Sequence, residues 1–176
     1  MSEFSNALKA AMTTALTAGF ALAGGGPAAA DPANSGSPSD INTLAGSLSK
    51  GYGLNNCTGR NIARARQLAT LACGQSPGTK GPAQAKYVLF TNADNLATAF
   101  RATIKEDVLT PCGDANQSPS SWHKDGSNAS AGQAACGTYQ NTAEIIWTTD
   151  AKKVLSYLRA SNADVKALYQ WWRANG

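Results

Sequence analysis

The sequence predicts an α+β domain: a four-stranded antiparallel sheet with helices on one face, made of two strand-strand-helix repeats and stapled by two disulfides. Three observations predict it. Ala72-Cys73-Gly74 is followed by the apolar run from Ala85 to Phe90 and then a helical pattern, and Ala135-Cys136-Gly137 is followed by Ala143 to Trp147 and another. The four cysteines are even in number, and two of them occupy matching places in the two copies. Each copy also ends its second strand on a large aromatic, Phe90 or Trp147, just ahead of a residue suited to cap a helix.

The elements follow in order. Residues 1–30 read as a secretory signal: Lys9 gives a thin positive start, Ala10 to Ala23 an apolar stretch too short to span a bilayer, and Ala28-Ala29-Ala30 a small-residue cleavage site before Asp31. Gly24 to Pro27 interrupt that stretch, which argues against a membrane anchor, so no transmembrane anchor is expected after cleavage. Residues 31–38, rich in Pro, Ser, Gly and Asn, read as a flexible linker, and residues 39–176 as a single domain. Ser39 caps a short helix bearing Ile41, Leu44, Ala45 and Leu48, which Gly51 stops; residues 61–68 suggest a helical turn. Strands are expected over 69–74 and 84–90, then a helix capped by Asn92 with Leu96, Phe100, Thr103 and Ile104 inward.

Pro111 closes the first copy, and residues 113–132 read as a long polar loop with one ordered island at Trp122 to Gly126. Residues 133–138 and 142–147 form a hairpin turning near Tyr139 to Asn141. Thr149 or Asp150 is expected to cap a helix with Val154, Leu155 and Leu158 inward. After a break at Ser161-Asn162, a last helix carries Val165, Leu168 and Trp172.

Four cysteines allow three pairings. Local pairing, Cys57 with Cys73 and Cys112 with Cys136, gives each repeat its own staple and is the expected one. No cysteines are clustered as zinc ligands or as a Cys-x-x-Cys redox pair, so neither a metal nor a redox cofactor is expected. Net charge is +4 and stays so without residues 1–30, since Glu3 and Lys9 cancel. The positive residues are scattered apart from Arg60, Arg64 and Arg66, and no dense basic stripe or known motif points to nucleic acid.

Gly51-Tyr52 with Cys57, Ala72-Cys73-Gly74, Trp122 to Gly126, Ala135-Cys136-Gly137, Trp147-Thr148 and Leu168-Tyr169-Gln170-Trp171-Trp172 succeed one another in that order. This succession resembles the extracytoplasmic C-terminal region of actinobacterial, mycobacterial-type Ser/Thr protein kinases. The resemblance covers most of residues 40–173 and implies a stand-alone secreted accessory or sensor-like module of the cell envelope. There is no kinase catalytic domain or glycine-rich nucleotide loop, so kinase activity does not carry over, and no catalytic residue is implied.

Chemistry is sparse. His123 is the only histidine. A serine hydrolase would need it between Asp125 or Asp114 and a nucleophile among Ser120, Ser121 and Ser127, yet no nucleophile signature surrounds them. Glu144 stands out as an acid inside an expected strand, although alternation with Ile145 assigns it to solvent. The expectation is therefore a secreted, non-catalytic domain that binds an unidentified envelope ligand or protein. Trp122, Tyr169 and Trp171 are its candidate aromatic contacts and Arg60 and Arg64 its candidate anion contacts. The alternatives are a small secreted hydrolase using the His123 loop or Glu144, and a structural cell-surface component.

Overall fold

A computed structural model describes residues 35–62, 66–78 and 81–176. The expected signal segment, its cleavage site, the linker residues 31–34 and Arg64 lie outside the described residues. In chain order the elements are α1 (Pro38–Ala45), β1 (Cys57–Gly59), β2 (Gln67–Cys73), β3 (Gln84–Phe90), α2 (Ala93–Thr103), β4 (Val108–Thr110), β5 (Ser120–His123), β6 (Ser130–Tyr139), β7 (Thr142–Thr149), β8 (Val154–Arg159) and α3 (Val165–Asn175). Short 3-10 turns occupy Ile104–Glu106 and Asp150–Lys152.

The fold is α+β, but its antiparallel sheet has eight strands rather than four, in the order β1-β2-β3-β8-β7-β6-β4. The ten-residue β6 holds two short strands along one side, β4 at Cys136 to Thr138 and β5 at Ser130 to Ala134. The second copy of the repeat fails at its third member. Where a helix was expected, Val154 to Leu158 form β8, inserted between β3 and β7 and buried on both faces. A strand covered on both sides loses its polar alternation, and Val154, Leu155 and Leu158 then mimic a helical stripe. Lys153, in the left-handed region at φ 56°, turns the chain from the 3-10 segment into this strand.

Helices lie on both faces, not one. Tyr87, Leu89, Ile145, Trp147, Val154 and Leu158 pack with Leu44 of α1 and Leu168 and Trp172 of α3. Their neighbours Val88, Phe90, Ile146, Leu155 and Tyr157 pack with Leu96, Ala99 and Phe100 of α2. Adjacent strand residues point to opposite faces, so each strand feeds both layers.

Local signals explain the helix ends. Ser37, two residues ahead of the expected Ser39, caps α1 by accepting from the Asp40 amide at 3.1 Å, with Pro38 in the first helical turn. Asn92 caps α2 as expected, accepting from the Asn95 amide at 2.9 Å, and Asp164 caps α3 through the Ala167 amide at 2.9 Å. Ser35 and Gly36, at the end of the expected linker, lie against β2: Gly36 bridges to Ala69 and the Ser35 carbonyl accepts from Thr70. The described part of 61–68 contains no helix; Gln67 and Leu68 already belong to β2.

The hairpin between β6 and β7 turns on Gln140 and Asn141, both at positive φ (50° and 60°), the two-residue turn that matches strand twist. Both disulfides form as expected. Cys57–Cys73 clasps the paired strands β1 and β2, and Cys112–Cys136 ties the segment after β4 to the middle of β6.

Candidate functional site

A groove of about 350 Å³ opens between β5, the segment after Cys112 and α3. β5 places Trp122 opposite Gly132 of β6, on the face that α3 covers. There the indole Nε1 of Trp122 donates to the Thr148 carbonyl at 2.7 Å. Gly132 makes this approach feasible, since a Cβ there would lie 2.1 Å from the same carbonyl oxygen. Helical spacing brings Tyr169, Trp172 and Arg173 to one side of α3. Trp172 is the floor: its ring centroid lies 5.8 Å from that of Trp122 and 5.6 Å from that of Tyr169. Gly113, at φ +56°, completes the wall by packing against the Tyr169 ring, where a Cβ would come within 2.2 Å of Cε1. A hollow of about 210 Å³ shares Trp122, Trp172 and Arg173 with the groove and reaches Gly176.

The groove is electrically balanced. Its lining holds two carboxylates, Asp114 and Asp125, and two cations, Lys124 and Arg173, beside His123 and the hydroxyls of Ser120 and Ser121. Arg173 Nη2 donates to Asp125 Oδ1 at 3.0 Å, an exposed pair that links α3 to the turn after β5. Of the serine-hydrolase residues, Asp114, Ser120, Ser121, His123 and Asp125 thus line one groove without assembling, and Ser127 lies outside it. No serine hydroxyl or carboxylate among the described residues is hydrogen-bonded to His123, Asp125 is engaged by Arg173, and Ser121 Oγ accepts from Gln133 Nε2 at 3.1 Å. Among the described residues no group of three or more His, Cys, Asp or Glu is placed to hold a metal.

Trp122 and Tyr169, two of the expected aromatic contacts, therefore meet in this groove, each half-buried. Trp171 does not join them. It is half-buried and packs edge-on against Tyr52 at 6.2 Å. Arg60 is exposed after β1, at the opposite edge of the sheet from β5.

Glu144 corrects the expectation of a solvent-facing strand position: it is 1% exposed. It faces the α2 layer, where it accepts a hydrogen bond from Tyr157 Oη and lies 3.8 Å from Arg159 Nε. Burial and that neighbouring carboxylate push the Tyr157 phenol well above its ordinary pKa. In the same layer Lys86, 6% exposed, is lowered to about 8 by burial and, secondarily, by the positive charge of Arg60. With Glu144 shut away from solvent, a hydrolase acting through it has no route to substrate.

Compared with known protein families, curated proteins and solved structures, the chain matches none. Sequence reasoning named Trp122 and Tyr169 as contacts and grouped Asp114 with His123, but assigned Trp172 to the core alone and did not connect Arg173 or Gly113 with them. Helical spacing from Tyr169 pointed to Trp172 and Arg173. Only the β5–β6 pairing, hidden in what reads as loop, brings Trp122 to them.

Proposed function

We propose that this protein is a secreted, non-catalytic binding module of the cell envelope and that its ligand docks in the groove between β5 and α3. One observation carries the reading: three aromatic rings from two distant segments converge on one concave surface whose charges cancel. Two disulfides support an oxidising compartment, and no described helix is long and apolar enough to cross a membrane. The resemblance to actinobacterial kinase ectodomains supports a sensor-like role of the same kind. The groove offers recognition without reaction, because among the described residues no serine hydroxyl or carboxylate is hydrogen-bonded to His123 to make it a base.

The test is capture of small molecules from an envelope extract, read by native mass spectrometry. The full chain is compared with Ser120→Trp, which fills the groove from β5 on the same face as Trp122. The expected result is added mass on the wild-type protein and none on the variant. No added mass, or equal mass on both, would overturn the groove and shift the role to a structural surface component.

A further inference from the structure

Resting on that reading of the groove, we infer that the ligand is a neutral glycan, with a pyranose unit packed between Trp122 and Tyr169 above Trp172. Three features of the site select this chemistry.

The first is ring geometry. Trp122 stands at 74° to Trp172 and Tyr169 at 43°, so the two half-buried rings flank a central one and form an angled trough rather than a flat shelf. A pyranose presents faces of C–H groups edged by hydroxyls, which suits apolar rings below and polar groups around the rim. The trough is held in place by its supports. The Trp122 indole is tied to the Thr148 carbonyl, Tyr169 is backed by Gly113, and α3 is anchored by buried Leu168 and Trp172. A site so fixed loses little side-chain freedom on binding.

The second is charge. Asp114 and Asp125 oppose Lys124 and Arg173 around the same opening, and Asp125 already neutralises Arg173 at 3.0 Å. A phosphate or carboxylate ligand calls for an excess of cations, and this lining, with two cations against two carboxylates, has none despite the chain's net +4. Carboxylates and serine hydroxyls, by contrast, are ready partners for sugar hydroxyls.

The third is the donor in the floor. The Trp172 Nε1–H is buried and has no acceptor among the described residues. Its edge lies against Gly176, at the rim of the smaller hollow. Buried indole donors are normally satisfied, and a ligand oxygen reaching under Gly176 would satisfy this one.

The experiment is a glycan array of neutral and acidic oligosaccharides probed with the full chain, followed by tryptophan-fluorescence titration of each hit. The expected result is binding confined to neutral glycans, with affinity reduced at least about tenfold by Tyr169→Ala and by Trp122→Ala, and largely kept by Trp122→Phe. Since Trp122→Ala also loosens β5, Tyr169→Ala and Trp122→Phe keep the outcome readable if it unfolds. Binding to acidic glycans alone, binding unaffected by Tyr169→Ala, or an array without hits would overturn the inference. A blank array with capture of another molecule that Ser120→Trp abolishes would leave the groove standing and discard the sugar. A blank array with no capture discards both.

Discussion

Replacing Gly113 by alanine tests whether the Tyr169 wall of the groove is built as described. Two costs are separable. At φ +56° an alanine pays about 1–2 kcal/mol for left-handed backbone. Its Cβ would also sit 2.2 Å from Tyr169 Cε1 and 2.6 Å from Cζ, so the ring must swing away and give up its contact with Trp172. That contact is worth about 0.5–1.5 kcal/mol, which brings Gly113→Ala to about 1.5–3.5 kcal/mol. Gly126→Ala is the matched control, since it shares the backbone penalty at φ +77° but meets nothing within 4 Å.

Urea denaturation of both variants, alone and combined with Tyr169→Ala, closes the double-mutant cycle. In the Tyr169→Ala background, Gly113→Ala should fall to the cost of Gly126→Ala, a coupling of about 1 kcal/mol. Equal costs for the two glycines, or no coupling with Tyr169, would refute the packing of this wall.

Trp122→Phe should cost about 1 kcal/mol in the same assay through loss of the hydrogen bond to Thr148, with slower amide exchange in β6 than in β5 as the accompanying sign. Removing either disulfide by paired Cys→Ala substitution should cost about 3 kcal/mol, and the separations of 16 and 24 residues should make the two differ by only about 0.4 kcal/mol. Only loss of Cys112–Cys136 should raise amide exchange at Asp114 and Ala115, beside the groove. Stability should climb with pH between about 8 and 10. There the unfolded chain holds a proton on Lys86, ordinarily titrating at 10.5, that the folded chain has lost at about 8. Above pH 10 stability should fall, because Tyr52, Tyr87 and Tyr157 keep protons in the folded state that they shed when unfolded. Denaturation midpoints across this range check both slopes, and Lys86→Met should flatten only the first.

Much of the first copy was readable because its signals are local. The Asn92 cap, the stripe of Leu96 and Phe100 and the run from Gln84 to Phe90 each name their own conformation. β8 was misread because its buried character comes from neighbours on both faces, β3 and β7 beside it and two helix layers around it. The same cause hid Glu144: a strand that looks amphipathic alone has no wet face once α2 covers the sheet. β5 was missed since Ser-Ser-Trp-His carries little strand propensity, and its place depends on β6 offering a second partner site. Of the three candidate aromatic contacts, Trp122 and Tyr169 line one groove and Trp171 does not, for a similar reason. Tyr169 and Trp171 are two residues apart, and a helix turns such positions away from each other.

The position of β8 bears on how the protein is made. Its backbone pairs on one side with β3, laid down about seventy residues earlier, and on the other with β7. Without residues 154–159 the strands fall into two groups, β1-β2-β3 and β4 to β7, with no pairing between them, and any sheet either group forms would have a bare strand edge. Neither half is a finished unit, so cutting the chain between β3 and β7 should not yield an independently folding fragment. During synthesis the two open edges need shielding until the keystone strand arrives.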